Sequence, residues 1–248
     1  MSREGAAATT TLGVVVAAAG RGLRLGAGRP KQYLEIAGRP LLEWTILALC
    51  ASPRVGSVVV ACEEEGVPFW GQRLSRLGSA PLAVTPGGDC RALSVRNGLG
   101  LLLERGNPEL VAVHDGARPG FSPALMDALA ARLLQADRPA GVVPGLVPAD
   151  TIKETDGSGS VLRTLERSRL CAVQTPQLFR REALRRSYAQ AEDVLRVATD
   201  DAALLEGLGE RVVTIPGEVE NFKVTTSADL EAMEQILLVR RWAVRGEA

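Results

Sequence analysis

Lysine is rare in this chain, and each lysine is therefore a candidate for binding an anionic group. The chain has 26 arginines and only three lysines, Lys31, Lys153 and Lys223. Because arginine serves wherever a generic surface cation is enough, a retained lysine suggests a role that needs a compact ammonium group on a flexible stem. Chance retention is the alternative for any one lysine considered alone.

A glycine-rich loop at residues 17–33, AAAGRGLRLGAGRPKQY, carries the first of these lysines. It lacks the dinucleotide-binding fingerprint, because Leu25 stands where the third glycine is needed, and it lacks the Gly-Lys-Ser/Thr of a P-loop. The remaining pattern is a turn of small residues whose backbone N–H groups can approach an anion, with Arg24 and Lys31 supplying positive charge. A plain glycine turn with solvated basic residues is the alternative.

Asp115 lies in the segment VAVHDGARP, directly after an apolar run that is typical of a buried strand. A carboxylate at the end of such a strand is well placed to hold Mg²⁺ against phosphate oxygens. Capping of a turn or helix by Asp115 is the alternative. We expect His114, the only histidine, to be a structural neighbour of this site rather than a base.

Polar residues also follow other predicted strands. In PGGDCRALSVRNG, residues 86–98, the backbone around Gly88 could read the edge of a base while Ser94 adds a hydroxyl; a glycine turn with Asp89 capping the helix is the alternative. We interpret the pair Asp200 and Asp201 as the acidic first turn of a helix.

Short valine-rich runs alternate with helical patterns along the chain, which predicts an α/β fold with a mostly parallel sheet covered on both faces. Ligands of such folds bind at the carboxyl ends of the strands. The predicted strands are 12–18, 55–61, 81–85, 110–114, 140–147 and 211–215, and the predicted helices are 41–51, 91–104, 123–136, 199–208 and one from about Ser227.

Residues 148–170 interrupt this alternation. The segment is polar, weakly alternating and punctuated by Gly157 and Gly159, which predicts a hairpin. Its length and arginines allow an arm that clasps a second subunit, and a surface loop is the alternative. Because no repeat or low-complexity linker interrupts the chain, we predict a single domain over residues 1–248.

Composition excludes several classes of protein. The 248 residues are 46% hydrophobic and 23% charged, as in globular proteins, and 29 basic residues balance 29 acidic ones, so we expect no nucleic-acid partner. No apolar run near the N-terminus reaches the roughly 20 residues of a membrane span. Four scattered cysteines and one histidine offer no zinc site or disulfide framework, which fits a reducing, cytoplasmic setting.

The motifs GRGLR, PKQY, GGDCRALSV, VHDGARP, VPADTIK, TLERSRL, QTPQLF, TDDAALLE and ENFKVTT occur in this order. Together they resemble the 2-C-methyl-D-erythritol 4-phosphate cytidylyltransferases of the non-mevalonate isoprenoid pathway, over residues 12–236. The resemblance implies a Rossmann-like, three-layer nucleotidyltransferase fold with a protruding β-arm. It also implies transfer of CMP from CTP to methylerythritol 4-phosphate, with Mg²⁺ and release of pyrophosphate.

The resemblance also assigns residues to this chemistry. It implies that the catalytic cations are Arg24, Lys31 and Lys223, and that the nucleotide is bound by Ala18, Ala19, Gly20, Gly88, Asp89, Ser94 and Thr175. It implies that Asp115 binds Mg²⁺ and helps to bind the acceptor, together with Thr151, Arg167, Thr199 and Lys223. The arm at residues 148–170 would embrace a second subunit, so that Thr151 and Arg167 complete the partner's site in a homodimer.

Two positions depart from the family pattern. Ala17 replaces a common proline, and Gly116 replaces the alanine that is common in HDAARP. Both changes exchange one small residue for another and remove no functional group, but the second leaves substrate identity less secure than the reaction type. A ribitol 5-phosphate cytidylyltransferase and a non-catalytic nucleotide-binding homologue therefore remain alternatives.

Overall fold

The computed structural model describes residues 11–20, 30–77 and 80–245, with side chains described through Arg240. The described residues form strands β1 Leu12–Ala17, β2 Glu35–Ile36, β3 Arg39–Pro40, β4 Val55–Cys62, β5 Leu82–Pro86, β6 Leu110–Asp115, β7 Gly141–Leu146, β8 Lys153–Thr155, β9 Val161–Thr164, β10 Ala172–Val173, β11 Gln177–Arg180 and β12 Val212–Pro216. They form helices α1 Leu41–Cys50, α2 Val67–Leu74, α3 Arg91–Arg105, α4 Pro123–Leu133, α5 Arg181–Tyr188, α6 Glu192–Val197, α7 Asp201–Glu206 and α8 Ser227–Arg245.

The central sheet has the strand order β12-β7-β11-β6-β1-β4-β5, and β10 pairs with β7 next to the pairing of β11. The pairs β1–β4, β1–β6, β4–β5 and β7–β12 are parallel, whereas β11 runs antiparallel to both of its neighbours. Crossover helices bring each following strand back in the same direction, as parallel pairing requires. The predicted mostly parallel sheet is therefore confirmed.

Successive side chains of a strand point to opposite sides of the sheet, so an apolar strand gives the sheet two apolar faces. Helices cover both of these faces. In β1, Val14 and Val16 pack into one core with α1, α2 and α4, while Val15 packs into the opposite core with α3, α5 and α7. A third core joins α8 to the β2–β3 hairpin and contains Val224. The fold thus has the three layers that the resemblance implied.

The predicted strands and helices are confirmed with ends shifted by a few residues, but helices α2, α5 and α6, the hairpin β2–β3 and the strands β10 and β11 were not predicted. Helix α5 has the sequence REALRRSY, in which the buried Ala183, Leu184, Ser187 and Tyr188 form a narrow face among charges. So short a stripe is hard to distinguish from a loop without knowing which surface covers it.

The hairpin predicted within residues 148–170 is also confirmed. Strands β8 and β9 form a separate two-stranded antiparallel sheet, and their residues are mostly exposed. Between them, Asp156 Oδ1 accepts hydrogen bonds from the N–H groups of Ser158 at 2.8 Å and Ser160 at 3.2 Å. Gly157 and Gly159 have φ angles of +84° and +101°, which other residues rarely adopt, so these glycines shape the turn. Among the described residues, no helix is long and apolar enough to span a membrane.

Candidate active site at the carboxyl ends of the strands

A cavity of about 710 Å³ opens where β1, β4, β5 and β6 end. Backbone of residues 18–20 forms one side of it, and residues 87–90 form another. The chain segments are tied together at this edge, since Gly87 N–H donates to the carbonyl of Cys62 at 2.6 Å and Gly116 N–H donates to that of Ala17 at 2.9 Å. The cavity therefore lies at the edge of the sheet where a ligand was expected.

The glycine turn after β5 fits closely against the first loop. A Cβ on Gly87 would lie 2.4 Å from the Cβ of Ala19, so glycine is required for this approach. Ser94 holds the turn from inside: its hydroxyl accepts from Gly88 N–H at 3.0 Å and donates to the carbonyl of Cys90 at 2.9 Å. Ser94 thus sets the shape of this side of the cavity.

Asp115 lies at the end of β6, and its carboxylate contacts three positively charged side chains. Its Oδ1 accepts from Arg91 Nε at 2.9 Å, and its Oδ2 contacts Lys223 Nζ at 2.9 Å and Arg118 Nε at 3.4 Å. Only 8% of the Asp115 side chain is exposed. Burial by itself raises the pKa of Asp115, but the charges of Arg91 and Lys223 outweigh it and hold that pKa well below its ordinary value. Asp115 is therefore ionised and cannot act as a proton donor near neutral pH. Its carboxylate contacts the side chains of Arg91, Arg118 and Lys223 rather than a backbone N–H of a turn, so the alternative that it caps a turn is wrong.

His114, the residue before Asp115, lies buried and contacts residues that hold the end of β6. It is fully buried, its Nδ1 lies 3.0 Å from Thr175 Oγ1 and its Nε2 lies 3.0 Å from the carbonyl of Arg118. Thr175 Oγ1 also accepts from the Asp115 N–H at 3.0 Å, so its own hydrogen points to Nδ1 and the imidazole donates from Nε2. Burial lowers the pKa of His114 to about 4. This histidine is thus a neutral structural neighbour of the site, as expected.

The two predicted catalytic lysines meet at this site. Lys31 lies in a single 3₁₀ turn, Lys31–Tyr33, and its Nζ donates to the carbonyl of Val224 at 3.0 Å. Val224 is the neighbour of Lys223, and its own N–H donates to the carbonyl of Ala117 at 2.9 Å. Two segments that lie 193 positions apart in the chain are thereby joined beside Asp115.

A second cavity, of about 450 Å³, lies next to the first. Arg91, Asp115 and Lys223 line both cavities, so the cavities meet at this ion-paired group, which we call the junction. The far side of the second cavity is formed by Arg118, Val173, Thr175, Gln177, Thr199, Asp200, Ala203 and Glu206.

Comparisons with known proteins identify the family. The sequence model of the IspD family, described as 2-C-methyl-D-erythritol 4-phosphate cytidylyltransferase, matches residues 12–239. The chain belongs to this cytidylyltransferase family. It is 45% identical over 225 residues to the 2-C-methyl-D-erythritol 4-phosphate cytidylyltransferase of Saccharopolyspora erythraea, covering 90% of this chain and 97% of that protein.

Two further relatives agree. The chain is 40% identical over 223 residues to the enzyme of the same name from Carboxydothermus hydrogenoformans, covering 90% of this chain and 94% of that protein. It also resembles the crystal structure of this cytidylyltransferase from Thermus thermophilus, with a TM-score of 0.69 and 34% identity over 91% of this chain and 98% of that one.

The structure brings most of the residues expected from the cytidylyltransferase pattern to the two cavities. Ala18, Ala19, Gly20, Lys31, Gly88, Asp89, Ser94, Asp115 and Lys223 line the first cavity. Thr175 and Thr199 line the second, although Thr175 had been expected to bind the nucleotide. Arg24 lies outside the described residues.

Asp89 and Asp201 do not have the surface roles at helix ends that the sequence suggests. The alternative that Asp89 caps α3 is wrong, because Cys90 occupies the cap position and Asp89 contacts Arg196 at 3.2 Å. Asp200 caps α7 by accepting from the N–H of Ala203 at 2.9 Å, whereas Asp201 turns inward and is fully buried.

Thr151 and Arg167 line neither cavity within one chain. Both are exposed at the base of the hairpin, where Arg167 Nη1 donates to the carbonyl of Ala149 at 2.6 Å. Within one chain, the described residues therefore do not bring Thr151 and Arg167 to either cavity.

Sequence reasoning missed Arg91 and Arg118, which supply two of the three cations on Asp115. Among 26 arginines neither is unusual by type. A position-based signal did exist, since Arg91 begins the helix after the glycine turn and Arg118 lies three residues after Asp115. Only the fold shows that both converge on one carboxylate.

One of the two departures from the cytidylyltransferase pattern, Gly116, has close neighbours. A Cβ on Gly116 would lie 3.1 Å from the Cβ of Ala18 and from Leu42 Cδ1, close but not prohibitive. The alanine that is common in the family would thus need a movement of a few tenths of an ångström by these neighbours.

Proposed function

We propose that this protein transfers a cytidylyl group from CTP to 2-C-methyl-D-erythritol 4-phosphate and releases pyrophosphate, a step of isoprenoid precursor synthesis. The observation that carries the proposal is the junction, where two adjacent cavities of a cytidylyltransferase-family chain share Arg91, Asp115 and Lys223. A transfer between two bound phosphates needs such a meeting point, lined by cations that neutralise developing charge.

In this proposal the first cavity binds CTP. Backbone at Ala18, Ala19, Gly20 and Gly88, with Asp89 beside them, surrounds the cytosine and ribose, and the fit of Gly87 against Ala19 keeps this end small enough to favour a pyrimidine. The triphosphate extends toward Lys31 and Lys223, with Arg24 as a further cation. Ser94 acts by holding the turn at Gly88.

The second cavity binds the acceptor, and its phosphate lies against Arg118 and Lys223 with Thr175 and Thr199 nearby. One phosphate oxygen of the acceptor attacks the α-phosphorus of CTP in line. The new P–O bond forms as the bond between the α-phosphorus and its bridging oxygen breaks, and pyrophosphate leaves with that oxygen. No protein nucleophile is required, and catalysis consists of positioning and charge neutralisation.

Magnesium is part of the same proposal. Among the described residues, no group of three or more His, Cys, Asp or Glu side chains could hold a metal. Asp115 can offer at most one further lone pair, because three cations already bind its two oxygens. This donor set fits an ion that binds mainly to nucleotide phosphates and takes one protein oxygen from Asp115, an arrangement that Mg²⁺ commonly adopts. Bound there, it would withdraw charge from the triphosphate.

We further propose a homodimer in which the arm, residues 148–170, reaches the partner's second cavity. The hairpin exposes Val161 at 58% and Leu162 at 61%, and an isolated pair of strands is marginally stable in water. Contact with a partner would cover these side chains and would carry Thr151 and Arg167 to an acceptor whose cavity they do not line within their own chain. We place this dimer in the cytoplasm, in keeping with its four unpaired thiols.

The test is pyrophosphate release from CTP and Mg²⁺, with methylerythritol 4-phosphate and ribitol 5-phosphate offered in parallel. We expect release with the first acceptor and a preference of at least about tenfold in kcat/KM over the second. Preference for ribitol 5-phosphate would keep the mechanism and change the pathway. CTP binding without release with either acceptor would favour the non-catalytic alternative.

A further inference from the structure

A buried carboxylate lies directly behind the junction and takes no part in the chemistry proposed above. Asp201, at the start of α7, is fully buried. Its Oδ2 accepts from Arg91 Nη2 at 2.8 Å, and its Oδ1 accepts from the hydroxyl of Tyr188 on α5. Because the neighbouring Asp200 already caps the helix, the start of α7 does not explain why Asp201 turns inward.

Arg91 is held at two points by this arrangement. Its Nε donates to Asp115 Oδ1 at 2.9 Å while its Nη2 donates to Asp201 Oδ2. A guanidinium group is a rigid plane, so two anchors on different nitrogens fix both its place and its rotation. Arg91 lines both cavities, whereas Asp201 lines neither.

Negative and positive side chains alternate along this series of contacts, in the order Asp201, Arg91, Asp115 and Lys223. Burial lowers the pKa of Arg91, but Asp201 and Asp115 outweigh it and raise that pKa well above its ordinary value. Burial and Asp201 raise the pKa of Tyr188 as well, so its hydroxyl stays protonated and donates. Arg91 therefore stays charged and the Tyr188 hydroxyl stays neutral over the range in which an enzyme is assayed.

We propose that Asp201, supported by Tyr188, is a positioning residue that fixes Arg91 and, through Arg91, the Asp115 carboxylate that holds Lys223. This inference rests on the proposed transferase activity. Without its second anchor, the guanidinium can rotate about its contact with Asp115, and Lys223 then loses a fixed reference. Displacement of a reacting group by about 1 Å can cost about 10²-fold in rate.

Asp201→Asn tests the inference, because it removes the charge while keeping the shape and an acceptor oxygen. The assay measures kcat and both KM values for pyrophosphate release at saturating Mg²⁺, with the folded fraction from circular dichroism. We expect kcat to fall about tenfold or more while KM for CTP changes less than about threefold, since Asp201 itself lines neither cavity. An unchanged kcat per folded molecule, or a loss confined to the melting temperature, would overturn the proposal.

A double-mutant cycle with Arg91→Gln separates positioning from a merely structural role. If Asp201 acts through Arg91, then Asp201→Asn lowers kcat by less than about twofold once Arg91 is already replaced. Independent losses that multiply in the double variant would contradict this, as would an Arg91→Gln enzyme with normal kcat.

Tyr188→Phe and Ser187→Ala form a matched pair, since each removes one buried hydroxyl from α5. Ser187 Oγ donates to the carbonyl of Leu184 at 2.9 Å and does not contact the junction. We expect Tyr188→Phe to lower kcat about threefold or more and Ser187→Ala to leave it unchanged. Should Asp201→Asn fail to fold, this pair decides the matter: equal kcat values would overturn the inference.

Pyrophosphate release by the wild-type protein distinguishes failure of the proposed function from failure of this inference. Wild-type protein that releases no pyrophosphate would overturn the proposed function and this inference with it. An active wild type with an equally active Asp201→Asn variant would overturn the inference alone.

Discussion

At the scale of single residues, Asp115 shows how neighbours determine what a side chain can do. A carboxylate after a strand could cap, bind a metal or act as an acid. Three cations on its two oxygens exclude the acid role, because they keep it ionised. Its remaining capacity is to hold Arg91 and Lys223 in place and to offer one oxygen to an incoming ion.

The three lysines provide a test at this scale. We expect Lys31→Ala and Lys223→Ala each to lower kcat about 10²-fold or more, because each removes a cation placed to stabilise the transition state. Lys153→Ala is the matched control: Lys153 Nζ donates to Thr164 Oγ1 at 2.7 Å within the arm, and we expect less than about a fivefold change. Steady-state pyrophosphate release measures all three, and comparable losses would refute the assignment.

Substitution by alanine should have a small effect on stability at Gly116 and a large one at Gly120. We expect Gly116→Ala to change the free energy of unfolding by less than about 1 kcal/mol, since close contacts at 3.1 Å offset the reduced freedom of the unfolded chain. Gly120→Ala should cost at least about 2 kcal/mol, because its Cβ would lie 2.0 Å from the carbonyl oxygen of Glu220. Urea unfolding of both variants measures this, and a costly Gly116→Ala would show that glycine is required there.

At the scale of elements, the site is a set of strand ends joined by loops. The end of β6 is the best supported of these, since His114 and Thr175 hold it from behind and Arg118 crosses to the carbonyl of Asn221 at 2.8 Å. Residue 221 belongs to the segment that carries Lys223. The same bonds that stabilise the strand end thus also position a proposed catalytic cation.

The buried imidazole makes stability depend on pH. The pKa of His114 is about 4 in the folded chain, whereas the ordinary value of 6.5 applies in the unfolded chain. Between these values the unfolded chain binds more protons, so the free energy of unfolding decreases as the pH falls through that window. We expect His114 to account for about 2 kcal/mol of lost stability between pH 7.5 and pH 5. Urea unfolding of wild type and His114→Gln at both values tests this. A variant that loses as much stability as the wild type would contradict the assignment.

At the scale of the whole molecule, the arm is the feature that one chain leaves unexplained. Thr151 and Arg167, which we propose to bind the acceptor, line neither cavity of their own chain. A second copy resolves this if each arm completes the site of its partner. The alternative, an arm that only packs against its own chain, would leave Arg167 without any role in kinetics.

Mixing two impaired variants tests the composite site. If Arg167 acts in the partner's site and Lys223 in its own, a mixed dimer of Arg167→Ala and Lys223→Ala contains one site with both wild-type residues and one with neither. Co-refolded subunits at low acceptor concentration should then recover about a quarter of wild-type activity, because about half of the dimers are mixed. Activity that stays at the average of the two parent variants, or a monomer by light scattering, would contradict the composite site.

The sequence by itself determined the class of fold and most of the residues at the site. Valine-rich runs alternating with helical patterns are local signals, and the glycine turns and polar strand ends that follow them mark where ligands bind. The short helix α5 was not predicted from the sequence. Its apolar face is too narrow to be recognised as helical without the sheet that covers it.

Only the tertiary structure decided which charges act together. Lys31 and Val224 lie far apart in the chain, as do Arg91 and Asp201, and no local pattern records that they touch. The fold also separated adjacent residues of similar type, since it left Asp200 at a helix cap and buried Asp201 behind the junction. Electrostatic energies depend on distance and burial, and both quantities are fixed only when the chain has packed.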